Sequence, residues 1–234
     1  MILLKKIALV FFDLLDKYYH QKRINTFLKK IKINFFLDVG AYLGTYTDLV
    51  LKNNNSSKAL IFEPQDDIYR ILKHRYKKNK NIKVFNYAIS NKIGARKLYI
   101  NKHRLTSTFL KFNLQNNYLN YKAKLFGSTI RGMTKNIKIV KTKTLKKIIK
   151  ENKIKKIDLI KIDTEGHEFE VLKGIGSKIR LVKCFLLEFH QDSIYHSYNP
   201  KKIHRYLVKN NFVLKKIYSF PFTTWEDRFY INKK

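Results

Sequence analysis

Short apolar runs alternate with amphipathic stretches from about residue 35 onward. Runs at Phe35–Val39, Ala59–Glu63, Lys83–Ala88, Ile157–Ile162 and Lys183–Phe189 are compact and rich in Ile, Val, Leu and Phe, which predicts buried strands. Helical spacing fills the intervals at Tyr46–Asn53, Asp66–Lys77, Thr144–Asn152, Glu168–Leu172 and Pro200–Asn210. Two further strands are predicted at Phe212–Tyr218 and Arg228–Ile231, parted by a turn that contains Pro221. Strand–helix alternation of this kind predicts an α/β fold: a doubly wound, mostly parallel sheet closed by an antiparallel C-terminal hairpin. The middle is less regular. Asn91 to Gly94 reads as a hairpin turn before a strand at Ala95–Ile100, and Asn101 to Asn136, with Gly127 and Gly132, shows no period and is expected to supply substrate-binding loops. Leu4, Ile7, Leu9–Phe12, Leu14–Leu15 and Tyr18–Tyr19 form one broad apolar face, so residues 1–33 are expected to be a helical lead and 34–234 a single domain.

Composition narrows the picture. Apolar residues are 44% of the 234, enough for a sizeable core, which excludes wholesale disorder. The single cysteine, Cys184, lies inside an apolar strand and cannot form an intrachain disulfide; a packing role in a reducing compartment is expected. Lys5-Lys6 followed by Ile7–Phe12 imitates a signal peptide, but Asp13 and Asp16 interrupt the run and no small-residue cleavage site follows. A cytoplasmic location is therefore expected. The lead is expected to dock on the domain as a lid, the alternative being peripheral contact with an anionic membrane through its lysines.

The net charge of +33 would attract nucleic acid or anionic lipid. The excess is mainly Lys, beside abundant Ile, Asn, Tyr and Phe, and the Lys clusters lack interleaved stacking aromatics. That pattern favours compositional drift over a dedicated nucleic-acid face.

Candidate chemistry begins at Asp38-Val-Gly40-Ala41-Tyr-Leu-Gly44, where a buried strand meets a helix through a glycine turn. Glycines there let the backbone approach a ligand and adopt positive φ. The Gly-x-x-x-Gly spacing fits neither the dinucleotide fingerprint nor a P-loop. An acid two residues before the first glycine can instead answer an ammonium group. Glu63 closes the next strand 19 residues past Gly44, where a carboxylate can accept from both ribose hydroxyls. An adenosine carrying an amino acid satisfies both acids, and S-adenosylmethionine has both parts.

The strand Ile157–Ile162 runs into Asp163-Thr-Glu165-Gly-His167-Glu168, which puts acids at the carboxyl edge of the sheet. His167-Glu168 is not a zinc-protease motif, because Val171 stands where the second His would be. Asp38 to Gly44, Phe62-Glu63-Pro64, Ala88-Ile-Ser90, Thr106-Ser-Thr108, Lys161-Ile-Asp163-Thr-Glu-Gly-His-Glu168 with Val171 to Gly174, and Leu187-Glu188-Phe-His190 together resemble the FkbM family of methyltransferases. The resemblance implies the seven-stranded, Rossmann-like class I methyltransferase fold, S-adenosyl-L-methionine as cofactor, and O-methylation of a sugar, glycan or other small hydroxylated acceptor. It implies cofactor contacts at Asp38, Gly40, Ala41, Gly44, Glu63, Ala88 and Asp163. One departure is Lys146, where the family usually has an acid after Thr-Leu.

His190 is the expected proton acceptor, since an imidazole ordinarily titrates near ~6.5; Asp163 and Glu165 are expected to orient the acceptor hydroxyl. Glu165 and Glu168 could alternatively cap the following helix. Asp163, Glu165 and Glu188 could hold a cation or form a structural carboxylate network, and no metal is expected. Two rivals remain: an RNA methyltransferase with a basic groove near Arg104 and Arg131, and a catalytically silent binding module. The intact set of Asp38, Gly40, Gly44 and Glu63 argues against the latter.

Overall fold

The computed structural model describes residues 10–12, 14–102, 106–125, 128–191 and 193–233. Helical backbone at 10–12 and 14–15 leads through a π-helical turn, Asp16–His20, into α1 (Gln21–Leu28). The chain continues through β1 (Phe35–Val39), α2 (Thr45–Asn53), β2 (Lys58–Phe62), α3 (Asp66–Arg75), β3 (Ile82–Phe85), β4 (Ala88–Ile89), β5 (Gly94–Asn101) and α4 (Asn117–Leu125). It then forms β6 (Thr134–Lys143), α5 (Leu145–Glu151), β7 (Leu159–Ile162), α6 (Glu168–Ile175), β8 (Cys184–His190), α7 (Pro200–Lys209), β9 (Phe212–Ser219) and β10 (Trp225–Asn232).

Seven strands make one mostly parallel sheet, as expected, in the order β3-β2-β1-β7-β8-β10-β9. Only β10 runs antiparallel, to both β8 and β9. Alternation along each strand sorts side chains onto two faces. Leu37, Val39, Leu60, Phe62, Ile160, Ile162, Phe185 and Leu187 face α5, α6 and α7 in one apolar layer. Phe36, Ala59, Ile61, Leu159, Cys184, Leu186 and Phe229 face α1, α2 and α3 in the other. The N-terminal helix therefore belongs to the second layer: His20, Ile24 and Leu28 are fully buried there.

The middle of the chain departs from expectation. The run 83–88 is split, because the chain leaves the main sheet after Phe85 and starts a second, three-stranded sheet at Ala88. Its order is β4-β6-β5, so 91–94 is no hairpin turn: the two strands on either side of it, β4 and β5, both pair with β6 and not with each other. Within the stretch expected to be loops, the structure instead has α4 and the start of the ten-residue β6. Lys occupies four of the ten β6 positions and leaves only Ile137, Ile139 and Val140 as apolar markers, which hides the strand. Among the described residues, no helix is long and apolar enough to cross a membrane. Leu4, Ile7 and Leu9 of the expected lead, together with Arg104 and Gly127, lie outside them.

Candidate active site

Strand parity explains why one edge collects the polar residues. Asp38 on β1, Lys161 on β7, Glu188 and His190 on β8, and Asp227 on β10 all have the parity of the layer under α1 to α3. Asp163 and Glu63 continue it just past β7 and β2.

The glycine turn takes left-handed backbone at alternate residues, with φ of 79° at Gly40, 46° at Tyr42 and 84° at Gly44. A Cβ on Gly40 would stand 1.8 Å from the Asp163 carbonyl oxygen, so β1 and the loop after β7 can meet only at a glycine. The amides of Gly40 and Ala41 donate to the Phe62 carbonyl at 3.0 and 3.2 Å, which ties the turn to the end of β2. Ala41 and Glu63 are buried beside it. One Glu63 oxygen accepts from the Tyr42 amide at 2.9 Å and the other from the Gln65 amide at 2.8 Å. Glu63 thus organises the turn as well as closing the strand, a second role the spacing did not suggest. Burial pushes its carboxyl up to about 7, against those amides. Asp38, buried and accepting from Thr47 Oγ1 at 2.6 Å, is pushed to about 6 by burial. Ala88 packs with Leu98, Ile100 and Val140 in the small sheet.

These groups fit an S-adenosylmethionine in donor chemistry. Each Glu63 oxygen keeps a lone pair for a hydroxyl, Asp38 and Asp163 are acids suited to an ammonium, and the glycine turn leaves room for close approach.

On the far side of Asp163 lies the second group. His190 Nε2 is 3.4 Å from Glu188 Oε2 and 3.7 Å from Glu165 Oε2, and Tyr195 donates to Glu165. Glu165 holds a positive φ of 52°, uncommon for a residue with a Cβ. Its backbone carbonyl accepts from Thr108 Oγ1 at 2.6 Å. Asp163 and Glu188 hydrogen-bond to each other; burial first, then neighbouring carboxylates, hold both above the usual range, against the pull of Lys161. Glu165, Glu188 and His190 have ligand atoms within 4.8 Å of one another and could hold a divalent ion; His190 takes the place sequence reasoning gave Asp163 in such a group. Glu168 braces the loop before α6 and does not cap the helix: its Oε1 accepts from the amides of Thr164 and Gly166. His167, buried with Nε2 3.0 Å from Ser90 Oγ, is pushed down to about 3 by burial and stays neutral.

Beneath these groups runs a network sequence reasoning missed. Asp227, fully buried, accepts from Lys161 Nζ at 2.7 Å, from the Tyr46 hydroxyl, and meets His20 Nε2 at 2.9 Å. Burial alone would raise its carboxyl, yet Lys161 and His20 hold it near 2. Lys161 stands 3.5 Å from Asp163 and 4.1 Å above the Tyr46 ring. Burial lowers the ammonium, but Asp227, Asp163 and Glu188 more than offset that. Lys161 was legible as the residue two before Asp163 on the same strand face. Asp227 was not, because it lies just outside a strand expected to begin at Arg228.

The methyltransferase FkbM domain model matches residues 38–214 of the sequence. Among solved structures, the fibrillarin pre-rRNA processing protein of Methanococcus jannaschii is 15% identical, with a TM-score of 0.50 over 86% of this chain and 67% of that one. An uncharacterized protein from Listeria monocytogenes serotype 4b is 12% identical, with a TM-score of 0.51 over 92% and 68%. The M. capricolum TrmK complex with S-adenosyl-homocysteine is 12% identical, with a TM-score of 0.49 over 90% and 67%. Comparison with curated proteins gave no match.

Proposed function

Because the chain belongs to the FkbM methyltransferase family and its cofactor is S-adenosylmethionine, we propose that it methylates a hydroxyl oxygen of a sugar, glycan or other small hydroxylated acceptor. Asp38, Gly40, Ala41, Gly44, Glu63, Ala88 and Asp163 would hold the cofactor, with Glu63 toward the ribose and an acid of the pair Asp38 and Asp163 toward the ammonium. The cofactor supplies a sulfonium methyl that is already activated for displacement. The protein's own task is to align the acceptor oxygen and take its proton. His190 would take the acceptor's hydroxyl proton on Nε2 as that oxygen is methylated. Glu165 and Glu188, flanking that nitrogen, stabilise the imidazolium so formed, and Asp163 orients the acceptor. Residues 34–234 would act as one catalytic domain in the cytoplasm.

The observation that carries this reading is the convergence of His190, Glu165 and Glu188 one strand away from Asp163 and two from the glycine turn. The test is transfer of labelled methyl to a panel of hydroxylated glycans and small alcohols, alongside RNA. Label in a glycan or small alcohol, lost in His190→Ala, is expected; label in RNA alone would overturn the acceptor class. The charge of +33 motivates that RNA arm. Affinity for RNA is expected to be weak and sequence-independent, roughly 10⁻⁴–10⁻⁶ M at physiological salt.

A further inference from the structure

Two neighbouring elements place bulky apolar side chains in solvent. Along the N-terminal helix Val10, Phe11, Leu14 and Tyr18 are 57, 50, 49 and 63% exposed. Their spacing, i, i+1, i+4 and i+8, puts them on one side of a helix. Farther along the same helical segment His20, Ile24 and Leu28 are buried against the sheet. Phe222, in the turn between β9 and β10, is 80% exposed and sits at φ 61°, a costly conformation for a bulky residue. Phe220 joins the two elements: its ring stacks on Trp225 at 4.5 Å and meets Phe12 at 6.4 Å and His20 at 5.4 Å. Single exposed apolar residues are ordinary, but four on one side of the helix and a fifth on the turn whose Phe220 packs against that helix mark a surface that something covers.

Charge selects the occupant. Lys17 and Lys22 are exposed along the same helical segment and Lys29 and Lys30 in the turn that follows it, Arg23 lies over Tyr19 and Tyr218, and the molecule carries +33. A second copy of the chain would bring the same charge against this patch. RNA would answer the lysines but not Val10 and Leu14. An anionic bilayer answers both, since apolar and aromatic side chains enter the boundary between headgroups and acyl chains while lysines meet lipid phosphates. We propose that Val10, Phe11, Leu14, Tyr18 and Phe222 form a docking surface for an anionic lipid bilayer. Trp225, at the end of the same turn, pairs with His190 in the sheet, so the docking surface borders the edge that carries the candidate active site. Docking brings that edge to the bilayer, where an acceptor held at the membrane surface is within reach.

The experiment is flotation of the full chain with vesicles of phosphatidylcholine alone and of phosphatidylcholine with phosphatidylserine, in low and high salt. Binding is expected only to the phosphatidylserine vesicles. Phe11→Ser, Leu14→Ser and Phe222→Ser combined should weaken it by about ten-fold or more, with an unchanged melting temperature. Phe222→Ser alone should weaken it less, and Lys17→Glu with Lys22→Glu should also weaken it. Failure of the wild type to float with anionic vesicles would overturn the proposal. Equal flotation of the triple variant would do so as well, by reducing the interaction to general charge. A wild-type dimer that the triple variant dissociates would assign the patch to a second copy instead, and loss of RNA binding in that variant would assign it to RNA.

Discussion

His190 sits 4% exposed at the end of β8, between two carboxylates and against the rings of Tyr195 and Tyr198. If it takes the acceptor proton, His190→Ala should lower single-turnover methyl transfer by about 10²–10⁴-fold while cofactor affinity stays nearly constant. The wild-type rate should also rise with pH as the imidazole loses its proton, a dependence the variant should lack. A variant within a few-fold of wild type would leave the proton to Asp163, Glu165 or water. Chelation separates this account from a metal centre at Glu165, Glu188 and His190: dialysis against EDTA should leave transfer unchanged, and a loss restored by a divalent cation would make the three residues ligands. Asp227 makes a different prediction. Asp227→Ala leaves Lys161 buried with its strongest partner gone, and should cost about 3–5 kcal/mol of stability in a denaturant titration. A loss under 1 kcal/mol would mean that Asp163 and Glu188 suffice for Lys161.

At the scale of elements, the site depends on how closely β1 approaches the loop after β7. Gly40→Ala puts a methyl 1.8 Å from a backbone oxygen that cannot rotate away, in a residue at φ 79°. About 3 kcal/mol or more of stability should be lost, with cofactor binding impaired beyond detection. An Ala variant that binds normally would show that the turn can open without consequence. The strands that build the site were readable in the sequence because each is buried on both faces and stays apolar up to its carboxyl end, where an acid, His or Gly breaks the run. Asp38, Glu63, Asp163 and His190 all mark such ends. The small sheet was not readable. One side of β6 is solvated, its Lys residues dilute the alternation, and β4 has two residues whose partner lies more than fifty positions away. The Asp227 network escaped for a related reason: a buried acid inside a strand resembles a strand boundary until the paired lysine is known.

Across the whole molecule, buried carboxylates set the response to pH. Asp38, Glu63, Asp163 and Glu188 are all held above the ordinary carboxylate range, chiefly by burial. Folding therefore retains protons that the unfolded chain releases. The stability these groups contribute is full below about pH 4 and is lost as pH rises through their folded values, from about 6 upward. His167, held down near 3, acts in the opposite sense below about 6.5, but it is one group against four. In about 0.3 M salt, which screens the +33 field, the melting temperature of the cofactor-free chain should fall between about pH 5 and 7.5. A rise over that range would mean that the carboxylates ionise freely in the fold.

One placement decides the function: a cofactor whose ribose meets Glu63 at the edge between β1 and β2. Calorimetric titration of S-adenosylmethionine into the full chain and into Glu63→Ala tests it most directly. Saturable binding by the wild type is predicted, weakened in the variant by about 1.5–3 kcal/mol, because a charged acceptor for the ribose hydroxyls is gone and the Tyr42 and Gln65 amides lose their partner. Wild-type affinity in Glu63→Ala, or no binding by the wild type, would contradict it.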